Sequence, residues 1–140
     1  TYAVGEISPE AAKLVRVTEE SFFEGLKYCV AGNYLSDVSH AIQVHLESNG
    51  FGVIRDYVGH GLGREMHEQP PVPNYGRPGR GPKLKKGMVL AIEPMVSAGS
   101  YAVKVLPDEW TAVTGDGSLA AHYENTVVIT DAEPLVITLL

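Results

Sequence analysis

Apolar residues recur at helical spacing in the first fifty positions, and this pattern predicts two helices. Ser8-Pro9-Glu10 is a typical helix start, with serine as the N-cap, proline at the first helical position and an acid in the first turn. One apolar face continues over 14–29, and Gly32-Asn33 is expected to end this helix. A second helix is predicted from Ser36-Asp37 to the stop signal Asn49-Gly50.

The rest of the chain has the short apolar and β-branched runs that are typical of strands. Two of these runs are long, and each holds one carboxylate: Glu93 in 88–96 and Glu124 in 122–130. Because an isolated buried charge is costly, each glutamate is expected to have a partner. Further strands are predicted at 52–58, 103–106, 110–113 and 135–140, with 1–4 as the end of a strand that begins before this chain.

Residues 70–86 are rich in proline and glycine, so they are expected to form a loop. The loop also carries a cluster of basic residues. Two interpretations stay open: a solvated basic surface, or contact with an anionic surface such as RNA. The basic residues are Arg77, Arg80, Lys83, Lys85 and Lys86.

Composition places the chain among ordinary globular proteins. It has 140 residues, 44% apolar and 20% charged, which suits a single domain with its own core. The net charge of −6 argues against wholesale nucleic-acid binding. No apolar run reaches the length of a membrane helix. The single cysteine, Cys29, excludes an internal disulfide and favours a reducing cytoplasm.

Candidate chemistry centres on Gly59-His60-Gly61-Leu62-Gly63, a glycine-rich turn that presents a histidine directly after a strand. Imidazole and carboxylate groups together form a ligand set suited to Mn, Fe, Co or Zn, so His60, Glu93 and Glu124 are candidate metal ligands. The alternative is that the glutamates are only salt-bridged. One histidine and two glutamates are also too few to hold a pair of ions.

Other catalytic patterns are missing from the sequence. His67-Glu68 is not followed by a second histidine at the spacing of helical zinc proteases, and Pro70-Pro71 would break such a helix. The chain has no Gly-x-Ser-x-Gly elbow and no phosphate-binding loop.

With these motifs in view, the chain resembles the methionine aminopeptidases, the type I branch of the pita-bread metallopeptidases of family M24. The resemblance covers nearly all of the chain and implies an α+β fold, in which two helices pack on a curved, mainly antiparallel sheet. The motifs that carry it are Gly59-His60-Gly61-Leu62-Gly63-Arg64, His67-Glu68-Gln69-Pro70, Ile92-Glu93-Pro94-Met95, Trp110-Thr111-Ala112 and Tyr123-Glu124-Asn125-Thr126.

The resemblance also implies a role for each matching residue. His60, Glu93 and Glu124 match metal ligands of a site for two divalent ions, and Glu93 would in addition shuttle a proton. His67 matches a histidine that hydrogen-bonds the scissile carbonyl, and His60 also lies on the substrate side. Trp110 matches a wall of the methionine pocket. Met66 takes the place of a phenylalanine that often lines this pocket in the family. The implied reaction is removal of N-terminal methionine from nascent proteins and peptides in the cytoplasm, with contact to the ribosome.

The sequence departs from the family in one important respect. The two remaining family ligands are aspartates that lie before the segment beginning here at Thr1, and no aspartate of this chain takes their place. The chain is therefore expected to be the C-terminal part of the fold, a single peptidase domain over 1–140 without its N-terminal half and with an incomplete site. A proline-directed peptidase of the same fold and a non-catalytic binding module remain as alternatives.

Overall fold

Both predicted helices are present in the structure, a computed structural model that describes residues 1–139. Helix α1 comprises Pro9–Leu26, and the Ser8 Oγ accepts a hydrogen bond from the Ala11 N–H at 3.2 Å, as expected of an N-cap. Helix α2 comprises Leu35–Ser48, and its C-cap is Asn49, at the predicted stop signal. The N-cap of α2 is Tyr34, just before the predicted start.

Helix α1 ends earlier than the sequence predicts. The Tyr28 N–H bonds to the Gly25 carbonyl and the Cys29 N–H bonds to the Leu26 carbonyl, so the chain closes in tighter turns after Leu26. It then reaches Val30, which forms a parallel bridge with Thr130 near the last strands. A tertiary contact has therefore replaced the last helical turn that the apolar spacing favours.

Cys29 follows α1 instead of lying on it, yet its side chain is fully buried. Burial raises the pKa of the Cys29 thiol to about 12, because the thiolate would lose its hydration. We expect native protein at pH 8 to react with a thiol reagent such as DTNB only as fast as the chain unfolds, and denatured protein to react at once. Rapid stoichiometric labelling of native protein would contradict this buried position.

Within residues 1–139, the strands form three antiparallel sheets. A three-stranded sheet has the order β1-β5-β8, a five-stranded sheet has the order β10-β9-β4-β2-β3, and β6 pairs with β7. Two helices and antiparallel sheets confirm the α+β prediction. The strands are β1 Gly52–Val53, β2 Gly59–Leu62, β3 Glu68–Val72, β4 Val89–Ile92, β5 Met95–Ser97, β6 Val103–Val105, β7 Ala112–Thr114, β8 Ala120–His122, β9 Asn125–Val128 and β10 Leu135–Val136.

The two long predicted strands are each broken near their glutamate, which corrects the sequence prediction. The first run divides into β4 and β5 at Glu93-Pro94, and the second into β8 and β9 at Tyr123-Glu124. In both cases the chain passes from one sheet to the other, since β4 pairs with β9 while β5 pairs with β8. The Tyr123 N–H donates to the Pro94 carbonyl at 3.2 Å, so the two corners lie against each other.

Four smaller predictions also need correction. Residues 54–58 leave β1 and cross to β2 without forming a strand. No strand is formed by 1–4, although the Thr1 backbone nitrogen donates to the His122 carbonyl. Residues 70–72 belong to β3 and not to the loop, and β3 tolerates two prolines because it is the edge strand of its sheet. The last predicted strand is shortened to β10, and Leu140 lies outside the described residues.

The core lies between the helices and the sheets. Its fully buried members include Phe22 of α1, Ile42 of α2 and Ile92 of β4. Burial of side chains of this size supplies most of the stabilisation, at about 1.5–3 kcal/mol each. Within residues 1–139, neither helix is long and apolar enough to cross a membrane.

Candidate metal centre

His60 is held at the start of β2, between two glycines that let neighbouring strands come close. A side chain at Gly59 would overlap the Ala91 carbonyl of β4, and one at Gly61 would overlap the Gln69 carbonyl of β3. Such close approach of backbones requires glycine. The flanking glycines therefore allow the His60 backbone to lie close to both neighbouring strands, and pairing with β3 and β4 holds it there.

Glu93 and Glu124 reach the same place from the two strand corners. One donor atom from each of them and one from His60 lie within 4.8 Å of one another. The His60 and Glu93 side chains are mostly buried, at 16% and 14% exposure. The Glu124 side chain is 46% exposed, which contradicts the expectation that an apolar strand surrounds it. Its exposure follows from its position at a corner.

The hydrogen bonding of His60 shows which of its nitrogens is available. Its Nδ1 lies 2.9 Å from the Gly61 carbonyl oxygen, which can only accept, so we assign the ring proton of neutral His60 to Nδ1. Nε2 then carries a lone pair and faces the Glu93 Oε1 at 3.6 Å. Two acceptors that face each other need a cation or a proton between them. The donor set therefore fits a divalent ion of the borderline type.

His122 is a site residue that the sequence analysis missed. Its Nε2 lies 3.3 Å from the Glu93 Oε2 and 4.0 Å from the Glu124 Oε2. The Glu93 carboxylate is thus flanked by one imidazole on each oxygen. The available signal was the spacing of His122 and Glu124, two positions apart in one predicted strand and so on the same face.

His67 lies beside His60 but does not belong to the group of three donors. It is the last residue of the bend at 63–67 between β2 and β3, and it is exposed. The ring centroids of His67 and His60 are 4.3 Å apart, with the planes inclined by 54°. His67 is therefore placed to contact a molecule bound at the donor group from the open side.

Trp110 and Met66, the residues expected to line a substrate pocket, are both open to solvent. Trp110 is 89% exposed in the connection between β6 and β7, and Met66 is 71% exposed in the bend before His67. Neither is one of the three clustered donors. Among residues 1–139, that cluster is the one group of three or more potential metal-ligating side chains.

Comparison with known proteins agrees with this arrangement. The model of metallopeptidase family M24 matches residues 1–131. A methionine aminopeptidase from Clostridium acetobutylicum is 67% identical over 139 residues, which are 99% of this chain and 56% of that protein. The crystal structure of methionine aminopeptidase from Thermotoga maritima has a TM-score of 0.96 at 55% identity, over 98% of this chain and 55% of that one.

A second solved structure shares the fold at lower similarity. X-Pro aminopeptidase from Thermotoga maritima has a TM-score of 0.72 at 22% identity, over 99% of this chain and 34% of that one. This similarity confirms the predicted pita-bread fold but says nothing of substrate. The chain spans about half the length of the curated relatives it matches. With a family match over almost its entire length and a solved relative that superimposes closely, the chain belongs to metallopeptidase family M24.

Proposed function

We propose that this chain is the C-terminal part of a methionine aminopeptidase, an enzyme that removes N-terminal methionine from peptides and nascent proteins. The observation that carries the proposal is the convergence of His60, Glu93 and Glu124, with His67 next to His60. The similarity to methionine aminopeptidases at 67% and 55% identity supports the same activity.

The proposed cofactor is a pair of divalent ions, Mn, Fe, Co or Zn. His60, Glu93 and Glu124 would hold them on this side, and a preceding N-terminal half of the fold would provide the remaining ligands. When bound, such ions lower the pKa of water and polarise a carbonyl group. The three donors of this chain alone would bind metal weakly, because a pair of ions needs more ligands than they offer.

The side chains have separate tasks in this proposal. Glu93, mostly buried between two imidazoles, would accept a proton from the attacking water and pass it on. His67 would donate a hydrogen bond to the scissile carbonyl and stabilise the charge that develops there. Trp110 and Met66 would contact the methionine side chain, together with His60 at the base of the pocket.

Exposed apolar side chains support the proposal that an N-terminal half covers this chain. Tyr2, Val4 and Trp110 are 90%, 88% and 89% exposed. Large apolar groups in such numbers are typical of surfaces that another element covers. The further partner proposed is the ribosome, which the exposed basic residues of 77–86 would contact through RNA, and the proposed compartment is the cytoplasm.

Of the alternatives, a proline-directed peptidase is less well supported. The X-Pro aminopeptidase resembles this chain at only 22% identity, against 55% for the methionine aminopeptidase from the same organism. A non-catalytic module would have no use for two adjacent carboxylates, whose mutual repulsion costs stability when no cation is bound.

The activity is tested by completing the fold. We expect the isolated chain to release negligible methionine from a Met-Ala-Ser peptide. A fusion of this chain to the N-terminal part of the Clostridium acetobutylicum relative should release methionine when Mn²⁺ or Co²⁺ is added. Amino-acid analysis of the products measures the release, and an Ala-Pro-Ser peptide tests the proline-directed alternative. Robust release by the isolated chain would overturn the incomplete site, and an inactive but folded fusion would overturn the activity.

A further inference from the structure

Asn74 is a fully buried polar residue that directly contacts the main chain of a candidate ligand. It follows β3, has no exposed surface, and its Nδ2 donates a hydrogen bond to the Glu93 carbonyl oxygen at 3.0 Å. The contact joins residues that are far apart in the sequence. It connects the loop that follows β3 to the corner from which the Glu93 side chain projects.

The corner at Glu93 is a place where the sheets cannot fix the chain by themselves. Glu93 lies outside both β4 and β5, and the next residue, Pro94, has no N–H to donate. The Pro94 carbonyl is bonded to the Tyr123 N–H of the opposite corner. At Glu93, the Asn74 side chain therefore supplies the hydrogen bond that the backbone of a neighbouring strand supplies elsewhere in a sheet.

The loop that carries Asn74 is itself anchored to α2. The Gly76 N–H donates to the Gln43 Oε1 at 2.9 Å, and the Gly76 carbonyl lies 3.0 Å from the His40 Nδ1. Gly76 has φ of +148°, a conformation that favours glycine. Between these anchors and β3, the ring of Tyr75 packs under the Arg55 guanidinium at 5.2 Å. The position of the Asn74 amide is thus set by contacts with residues other than the candidate metal ligands.

The oxygen of the Asn74 amide, Oδ1, lowers the stability of the fold. Within the described residues this atom is buried and accepts no hydrogen bond. A buried unpaired acceptor destabilises a fold, and an apolar residue of the same shape would avoid that cost. The hydrogen bond from Nδ2 to the Glu93 carbonyl explains why position 74 holds an asparagine and not an apolar residue.

We propose that Asn74 is a positioning residue for Glu93, which holds the corner so that the carboxylate faces His60 and the bound ion. The inference rests on the proposed metal site for its functional meaning. It extends that site beyond the ligands themselves, through the loop after β3 to Gln43 and His40 on α2. Residues that hydrogen-bond a metal-ligating side chain typically affect metal affinity by about 10- to 100-fold, and an effect at the lower end is expected here because Asn74 acts through the Glu93 main chain.

The test compares Asn74→Leu with Val38→Ala, which removes two methyl groups from the fully buried core on α2, away from Glu93. Co²⁺ binding to the full 140-residue chain is followed by visible absorption, and hydrogen exchange is measured for a peptide covering 92–97. We expect Asn74→Leu to weaken Co²⁺ binding about tenfold, to change the Co²⁺ spectrum and to speed exchange in this peptide. Val38→Ala should lower thermal stability without any of these three effects.

Unchanged Co²⁺ affinity and exchange in Asn74→Leu would overturn the inference, as would equal effects of Val38→Ala. If Asn74→Leu does not fold, Gln43→Leu on the half-buried face of α2 replaces it, with the same changes expected at smaller size. Failure of the wild-type chain to bind Co²⁺ would count against the proposed metal site. The exchange measurement would then still decide whether Asn74 holds the Glu93 corner.

Discussion

Replacement of Glu93 by glutamine is expected to cause the largest loss of metal binding of any single substitution in this chain. Glutamine keeps the size of the side chain but removes the charge between His60 and His122, whose Nε2 atoms lie 3.6 and 3.3 Å from its two oxygens. Since the residues that merely orient ligands are worth about 10- to 100-fold in affinity, loss of a ligand charge should cost more than about 100-fold. Titration calorimetry with Co²⁺ on the completed fusion protein, whose site has all its ligands, measures the change.

Thermal unfolding gives an independent reading of the same substitution. A ligand that binds only the folded state raises the melting temperature, so Co²⁺ should stabilise the wild-type chain and not Glu93→Gln. Without metal, Glu93→Gln should be at least as stable as wild type, because Glu93 and Glu124 repel each other. The control is Glu133→Gln, an exposed glutamate outside the donor group. Equal stabilisation of Glu93→Gln and wild type by Co²⁺ would refute ligation by Glu93.

The helices could be predicted from the sequence because their signals are local. Ser8-Pro9 fixes the start of α1, and Asn49-Gly50 fixes the end of α2. The early end of α1 could not be predicted, because it depends on the bridge from Val30 to Thr130, a hundred positions later in the chain. Local spacing carries no information about such a contact.

Of the breaks in the two long strands, one has a local sequence signal and the other does not. A proline inside a central strand argues against continuity, and Pro94 therefore offered a local signal for the first break. The second break, at Tyr123-Glu124, has no such signal. The second break follows from strand pairing. The segment 120–128 pairs first with β5 and then with β4, so it must pass from one sheet to the other where β4 and β5 are divided. Apolar composition predicts strand content well and strand corners poorly.

Ligand chemistry alone made His60, Glu93 and Glu124 candidate metal ligands, but it left salt-bridged glutamates as an alternative, and the resemblance was needed to favour one shared site. His60, Glu93 and Glu124 are far apart in the sequence, and nothing in their spacing brings them together. His122 was missed because the resemblance gave it no role, although it shares a predicted strand face with Glu124. Asn74 could not be found at all, since its importance depends on a contact between a loop and a strand corner.

Substitution of His67 by alanine is expected to separate chemistry from metal binding. His67 lies beside His60, with ring centroids 4.3 Å apart, but is not one of the three clustered donors. In the completed fusion protein we therefore expect metal affinity to stay within about twofold of wild type. Loss of one hydrogen bond to the developing oxyanion should lower kcat by roughly 10²- to 10³-fold. Steady-state kinetics on Met-Ala-Ser and Co²⁺ titration measure the two quantities.

The comparison with His45→Ala makes this result specific. His45 lies on α2 next to Glu20 and away from the donor group, so its removal should leave kcat and metal content unchanged. If His67→Ala loses metal together with activity, His67 is a ligand and the division of roles between the two neighbouring histidines is wrong. If KM rises while kcat is unchanged, His67 binds ground state and transition state alike. A fall in kcat at constant metal content and constant KM is the result that assigns His67 to the transition state, because a residue that only held the metal or the peptide would change one of the other two quantities.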